Sequence, residues 1–409
     1  MRRLLLFVVC AAALHAQPNR LLVVSIDGLD SRYLHEPDRI GVRIPTLRKV
    51  FREGAAASGV VGVVPTVTWP SHTTILTGVP PERHGILTND QPGQPGQRWW
   101  FTSFLKEKTL WQAAGEAGMT TAAIWWPVTV GGAITYNIPE FWEKRDGHSV
   151  PLAPMARHST PGLIDRISAV YPSFPRGYWS DTAAMQAVRY LVEHEKPALT
   201  LVHIADFDSE QHEFGAFSRE AKAVLEHADH LLGWLMERLP PDTVLVVTAD
   251  HGFENTDFLV RPEAMLREAG AAGKVEVREG LIGALDDTAA EHFRKRIGRD
   301  GIAREVPMDE VRRLAPHLAY WNAAFDTMPN HMAAMGAGPL VAPGNGRGRH
   351  GLWPTRPDYR ASFVVWGRGV RQTKLGEISM LDVAPTLADI LKVPLPAAQR
   401  PSLWPRISK

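Results

Sequence analysis

Arg20-Leu-Leu-Val-Val-Ser-Ile-Asp27-Gly28 is the stretch on which the fold turns. Its apolar residues run without alternation and stop at an acid and a glycine. A strand buried on both faces of a parallel sheet reads this way when its carboxyl end opens into a site. In open α/β sheets that edge is where ligands bind. Residues 243–248 repeat the pattern and end in Asp250-His251, and residues 198–204 repeat it ahead of Asp208 and His212. A further strand is expected over 120–126. Helical stretches lie between, at 45–54, 108–118, 181–195 and 218–239; the third carries Ala184, Val188, Leu191 and Val192 on one face. This alternation implies an α/β fold, a mostly parallel central sheet with helices on both faces.

Between His251 and His350 the pattern loosens. Helical pieces at 261–269, 287–297 and 308–315 mix with Gly- and Pro-rich loops, so 254–345 reads as an inserted cap or subdomain. Regular structure returns at 361–367, and Asp382-Val-Ala-Pro-Thr-Leu387 opens a last helix. The low-complexity run 91–97 is expected to be a surface loop.

A chain of 409 residues can bury one large core, or a core plus a smaller domain. Its formal charge of +1 argues against a dedicated nucleic-acid binder. Residues 1–16 stand apart: Arg2-Arg3, an apolar run, then small residues allowing cleavage after Ala13 or Ala16. That is a secretory signal peptide, too short to span a membrane. It implies a secreted or periplasmic catalytic domain over 17–409. Its removal takes two arginines from the 45 Lys and Arg against 44 acids, so the balance becomes 43 − 44 = −1. The only cysteine, Cys10, leaves with it. Disulfides, a thiol nucleophile and thiolate ligands are then excluded, and a metal has only His and Asp to hold it.

The nucleophile is sought in Pro65-Thr-Val-Thr-Trp-Pro-Ser-His72, after an apolar run, 59–64, that reads as a strand. Pro70 suits a first helical turn, and the helix should end at Gly78. Such a strand–turn–helix junction aims free N–H groups and the positive end of a helix dipole at one spot, which suits phosphate. Thr68 there is either a nucleophile or only an N-cap. The choice depends on the acids and histidines at the strand ends. Asp27, Asp208 with His212, Asp250-His251 and His350 supply three carboxylates and three imidazoles, and Thr68 one hydroxyl oxygen. These divide into two sites of three or four N/O ligands, suited to zinc and open to manganese or iron. A pair of such ions would clamp the attacking and leaving oxygens of an in-line phosphoryl displacement, and coordination would activate a threonine hydroxyl.

Together these motifs resemble the nucleotide pyrophosphatase/phosphodiesterase family of the alkaline phosphatase superfamily, from about Leu21 to Pro396. The resemblance rests on Ser25-Ile-Asp-Gly28, Pro65 to His72 with Thr77-Gly78, and His84-Gly-Ile86 with Asn89. Thr248-Ala-Asp-His-Gly252, His350-Gly351 and Asp382 to Leu387 extend it. It implies one metal on Asp208, His212 and His350, and a second on Asp27, Asp250 and His251 with Thr68 as bound nucleophile. It also implies Asn89, with the Thr68 N–H, on a non-bridging phosphate oxygen, and Trp69 stacked on a nucleotide base. The substrate would be a small phosphodiester.

Departures from the family are Gln211 where glycine is usual, Ala216 where proline is usual, and His203 where an aromatic is usual. The last bears on nucleotide recognition rather than catalysis. Phosphomonoesterases and phosphonate hydrolases of the superfamily add cations around the phosphate. Trp125-Trp126-Pro127 carries no lysine, and Lys144-Arg145 stand in an unmatched context. A sulfatase motif is missing. A non-catalytic metal-binding protein on this scaffold is the rival of another class. Trp99-Trp100-Phe101 reads as a substrate wall or a core cluster, and Arg347 and Arg349 as contacts to a second phosphate or solvated charges.

Overall fold

A computed structural model describes residues 20–145, 148–150, 152–174, 179–268 and 270–409. The leader and Cys10 lie outside them. Eight strands form the central sheet: β1 (Arg20–Ile26), β2 (Ala55–Ala56), β3 (Thr121–Ile124), β4 (Tyr136–Ile138), β5 (Leu199–Ile204), β6 (Thr243–Thr248), β7 (Phe363–Gly367) and β8 (Thr373–Lys374). Their order is β8-β2-β7-β6-β1-β5-β3-β4. The five from β6 to β4 are mutually parallel, while β7 runs antiparallel to both β6 and β2.

The register explains why the strand ends meet. Ser25 of β1 pairs with His203 of β5 and with Thr248 of β6, so the residues just past all three strands leave the sheet at one level. β1, β5 and β6 are buried on both faces, as their unbroken apolar runs require. Each fully buried Val, Leu or Ile there contributes about 1.5–3 kcal/mol.

Two helical layers cover the sheet. One holds α1 (Pro45–Glu53), α4 (Asp181–Tyr190) and α6 (Arg219–Met236), with α6 packing on both others. The other holds α2 (Thr68–Thr77), α3 (Leu110–Glu116) and α7 (Val383–Leu391), all in mutual contact. α5 (Asp206–Phe214) sits at the sheet's carboxyl edge.

Between β6 and β7 the chain builds a four-stranded antiparallel sheet in the order 275–278, 281–284, 323–327, 302–306. Met265, Phe293, Phe325 and their neighbours form a hydrophobic cluster distinct from the main core. The segment closes with Gly348–Arg349 pairing antiparallel to Glu254–Asn255, immediately after β6. That two-residue ladder returns His350 to His251.

Three expectations need correction. The apolar run at 59–64 is a strand only over Gly59–Val61, and it pairs with Glu377–Ser379 outside the central sheet. Gly62 and Pro65 break the extended chain beyond Val61. The run 91–97 is not an open loop: Gln94–Arg98 folds against Asp90–Gln91 as a hairpin, pinned by Asp90 accepting from the Gly96 N–H. The helix expected over 181–195 is α-helical only to Tyr190 and widens into a π turn over Leu191–Glu195, ending at a left-handed Lys196.

Candidate active site

Thr68 is the first residue of α2, and Val67 occupies the N-cap position without a side-chain cap. The capping role considered for Thr68 therefore falls away. Of the donors in the first turn, the Trp69 N–H goes to Asn89 Oδ1 at 3.0 Å and the Ser71 N–H to the Val67 carbonyl at 3.1 Å. Pro70 has none. The Thr68 N–H is left over at the positive end of the helix dipole. Because Asn89 accepts through Oδ1, its amide nitrogen remains a donor for a ligand in the cleft that Asn89 and Thr68 both line. Gly78 closes α2 in the left-handed conformation.

His72, one turn along, is buried. Its Nδ1 donates to the Thr68 carbonyl at 2.9 Å, so its Nε2 accepts from the Ser25 hydroxyl at 2.8 Å. Burial, followed by the charge of His203, pushes its pKa down to about 3. It is a neutral brace between α2 and β1.

Two groups gather at the sheet edge: Asp208, His212 and His350, and Asp27, Asp250 and His251, each with ligand atoms within 4.8 Å of one another. In the first, His212 Nε2 and His350 Nε2 lie 3.5 and 3.7 Å from Asp208 Oδ1. In the second, His251 Nε2 lies 3.3 Å from Asp27 Oδ1 and 3.1 Å from Asp250 Oδ2. Bonds of about 2.0–2.1 Å to a tetrahedral ion put neighbouring ligand atoms about 3.3–3.4 Å apart, so both groups have the spacing of a metal cage. The His251 and His350 rings stack at 3.8 Å and hold the cages side by side.

The hydrogen bonding fits metal as well. Asp27 Oδ1, Asp208 Oδ1, Asp250 Oδ2 and His251 Nε2 are buried without hydrogen-bond partners. Meanwhile each imidazole spends its Nδ1–H on a backbone carbonyl: His212 on Gly348, His251 on Gly252, His350 on Thr66. Every Nε2 lone pair is thereby turned inward. Burial first, then the neighbouring Asp250, raises the carboxyls of Asp27 and Asp208 well above their usual range. Burial and adjacent imidazoles lower His251 and His350 well below theirs. Carboxylates crowded in this way call for cationic charge, and divalent ions reverse these shifts.

The residues around the cages account for two departures from the family. Gln211 is fully buried; its amide donates to the Gly28 carbonyl at 3.1 Å and so ties α5 to the loop after β1. Gly28 has φ of 67°, and a Cβ there would meet the Phe253 ring at 2.8 Å. Its N–H holds Asp250 Oδ1 at 3.1 Å. His203 lies between two buried acids, donating Nε2–H to Asp27 Oδ2 at 2.9 Å, with Nδ1 3.4 Å from Glu140 Oε2. Burial alone would lower its pKa, but the hydrogen bonds and charges of Asp27 and Glu140 prevail and raise it well above 6.5. A ring with an N–H at each edge, rather than a hydrocarbon ring, is what this position needs here.

The cages open into a cleft of about 480 Å³ lined by Thr68, Trp69, Asn89, Asp27, Asp208, His212 and His350. Asp250 and His251 are buried behind it. Its outer wall was not legible in sequence: Arg98, Trp125, Glu140, Trp142, Trp179, Asp181 and Asp206 also line it. Arg98 ends the hairpin, Asp181 and Asp206 open α4 and α5, and the others lie in connections; of these residues only Trp125 stands in a stretch singled out in the sequence. Trp69 is 4% exposed, edge-on to Trp100 and Trp142, with the Arg98 guanidinium 4.8 Å from its ring centroid. A base stacking on Trp69 must displace Arg98. Trp100 belongs to the buried aromatic cluster while Phe101 is exposed, so that tripeptide divides between core and surface. Arg347 pairs with Glu213, and neither it nor Arg349 lines the cleft. Lys144 and Arg145 fall in the short strand Glu143–Arg145.

The sequence profile of type I phosphodiesterase / nucleotide pyrophosphatase matches residues 21–342, most of the chain. The chain belongs to this family. The match stops short of His350 and of Pro396, to which the sequence motifs extend the resemblance. Ectonucleotide pyrophosphatase/phosphodiesterase family member 1 of Homo sapiens is 27% identical over 261 residues, 60% of this chain and 24% of its own length. The venom phosphodiesterase of Naja atra is 25% identical over 411 residues, 91% of this chain and 44% of its own. The chain thus spans less than half the length of these relatives. Human ectonucleotide pyrophosphatase/phosphodiesterase 5 superposes with a TM-score of 0.63 at 18% identity, covering 95% of this chain and all of that one. Phosphonoacetate hydrolase of Sinorhizobium meliloti gives 0.61 at 19%, covering 92% and 96%. At these identities the likeness is one of fold, which is alkaline-phosphatase-like. Among the described residues no helix is long and apolar enough to cross a membrane.

Proposed function

We propose that the protein is a secreted or periplasmic two-metal phosphodiesterase that works through Thr68. The observation that carries this is the pair of cages beside a helix N-terminus whose one spare N–H belongs to Thr68. Asp208, His212 and His350 would hold one divalent ion; Asp27, Asp250 and His251 would hold the other, with Thr68 beside it. Zinc suits this donor set. When bound, two such ions would supply positive charge for the phosphate and would lower the pKa of the Thr68 hydroxyl.

Thr68 Oγ attacks phosphorus, the bond to the leaving alcohol oxygen breaks, and a Thr68 phosphodiester forms. The Thr68 N–H and the Asn89 amide hold a non-bridging oxygen whose charge grows in the transition state. Water then cleaves the Thr68–phosphate bond, which yields a phosphomonoester and restores the hydroxyl. Of the cations lining the cleft among the described residues, Arg98 is paired with Asp90 at 2.8 Å and lies over Trp69, and His203 is held between Asp27 and Glu140. That leaves a diester, with one non-bridging oxygen fewer to neutralise than a monoester, as the better substrate. The domain would be residues 17–409 after loss of the leader, with 254–345 as its inserted subdomain. A small nucleotide-like diester is the substrate class the family relationship favours.

The test is kcat/KM of zinc-loaded protein on a nitrophenyl nucleoside monophosphate against nitrophenyl phosphate, with Thr68→Ala as blank. A diester preference of about 10²-fold, roughly 2.7 kcal/mol of transition-state discrimination, is expected. A monoester preference refutes the assignment.

A further inference from the structure

Two residues before Thr68 stands Thr66, buried and outside the chemistry at phosphorus. Its hydroxyl has one proton, and the Leu352 carbonyl, 2.7 Å away, accepts it. The Tyr359 hydroxyl, at 3.0 Å, is therefore the donor in the second bond to Thr66 Oγ1. Tyr359 is buried too, and burial raises its phenol above the ordinary range, so that proton stays in place. A lone pair of the same phenol accepts the Gly351 N–H at 3.2 Å. Every link thus has a fixed direction, from Gly351 to Tyr359, from Tyr359 to Thr66, and from Thr66 to Leu352.

The backbone repeats the connection. The Thr66 carbonyl accepts His350 Nδ1–H at 3.3 Å and the Gly351 N–H at 3.0 Å. Gly351 has φ of 79°, and a Cβ on it would lie 3.5 Å from the side chain of Val67, the N-cap of α2. Segments 284 residues apart in sequence are fastened together at Thr66. One leads into Thr68 and the helix N-terminus, and the other presents His350 to the cage of Asp208 and His212. In the proposed mechanism Thr68 serves the opposite cage, so this fastening sets the nucleophile against the ion across from it. Placement there matters steeply: a shift of about 1 Å in a reacting group can cost about 10² in rate. Breaking one link of a buried hydroxyl chain strands a polar atom, which favours the intact arrangement over any relaxed one.

We propose that Tyr359 and Thr66 are positioning residues for the attack on phosphorus, their hydroxyls holding Thr68 and the His350 imidazole at one separation. This rests on the phosphodiesterase assignment. It goes beyond it by giving a task to two residues that do not line the cleft.

The experiment applies two readouts to the full protein carrying Tyr359→Phe, Thr66→Val or Thr66→Ser. The first is the zinc affinity of each site, by competition with a chromophoric chelator; the equivalent abolished in His350→Ala marks the His350 site. Outer partners of metal ligands typically govern affinity by about 10–100-fold. Tyr359→Phe and Thr66→Val act one link further out, and each should weaken the His350 equivalent by about 5-fold and spare the other. The second readout is single-turnover nitrophenolate release from a nitrophenyl nucleoside monophosphate at saturating zinc. The maximal rate should fall about 10-fold in both variants, with little change in the half-saturating substrate concentration. Thr66→Ser keeps the hydroxyl and should recover most of what Thr66→Val loses. The double variant Tyr359→Phe/Thr66→Val should lose little more than either single one, because both break the same chain.

Unchanged affinities and rates in both variants overturn the proposal. So does equal weakening of the two zinc equivalents, which a general loosening of the fold would give, or a Thr66→Ser as impaired as Thr66→Val. Should one variant fail to fold, the other decides by the same readouts. If wild type shows no Thr68-dependent turnover, the phosphodiesterase assignment fails by itself. Zinc affinity then decides the fastening: selective weakening of the His350 equivalent supports it, and its absence overturns it.

Discussion

Replacing His203 with phenylalanine should damage this protein. The imidazolium is 1% exposed and lies 2.9 Å from Asp27 and 3.4 Å from Glu140, which are 4% and 5% exposed at the side chain. At an effective dielectric of about 20, opposite charges at such separations attract by roughly 5–6 kcal/mol before desolvation is subtracted. Removing one partner of a buried set typically costs a net 3–5 kcal/mol, because the others remain buried without a counter-charge. Unfolding entropy of about 2.1 cal/mol/K per residue gives a chain of this length about 0.86 kcal/mol/K, so a 4 kcal/mol loss lowers Tm by about 5 °C. Scanning calorimetry of zinc-loaded wild type and His203→Phe measures it. The double variant His203→Phe/Glu140→Leu removes the stranded acid, and at least half of the lost Tm should return. A His203→Phe protein as stable as wild type, or a double variant with no recovery, would refute the account of His203 as the counter-charge of Asp27 and Glu140.

Two further outcomes concern the helix that bears Thr68 and its surroundings. Asn89→Ala should lower kcat by about 10²–10³-fold in single-turnover formation of the Thr68 adduct, through loss of one donor to the developing oxyanion. The accompanying loss of the acceptor for Trp69 N–H should cost only about 1 kcal/mol of stability by urea unfolding. His84 is held down to about 3 by burial, as His72 is. An unfolded histidine takes its proton near 6.5, so between 6.5 and 3 the unfolded state binds more protons and stability falls with pH. From pH 6 to pH 5 each of the two should remove about 1.2 kcal/mol. Wild type should therefore lose about that much more than His84→Gln over this interval in urea titrations, and parallel curves would contradict it.

What the sequence displayed well was whatever a single segment determines. β1, β5 and β6 are unbroken apolar runs ending near acids, and parallel register places those acids together with no further information. The two metal-competent groups result from that, completed by His350. The outer wall of the cleft was hidden because it depends on loop paths. Asp181 looks like an ordinary acid in the first turn of a helix, and Arg98 ends a low-complexity run whose hairpin is fixed by Asp90. Trp125 and Trp179 become neighbours only once β3 and the approach to α4 are in place. His203 was recognisable as a departure, but its reason, Glu140, comes from the far side of β4. The run at 59–64 misled because hydrophobicity says nothing of pairing: its partner, Glu377–Ser379, has no strand signature of its own.

The two-residue ladder joining Glu254–Asn255 to Gly348–Arg349 clasps the ends of the segment between them, and Trp353 and Arg356 just beyond it anchor that segment a second time, to Glu310 and Asp326. Gly348 is packed so closely that a Cβ would lie 2.5 Å from the Gln211 carbonyl, so the return path is fixed to within one residue of His350. Closing a longer loop across such a clasp costs only about 0.6 kcal/mol per doubling of its length. The span between the clasped ends is thus held in two places, and only its exposed turns are free to change length. Insertions in an exposed stretch such as 335–339 leave both anchors untouched, so length can be added there while the chemistry stays where it is.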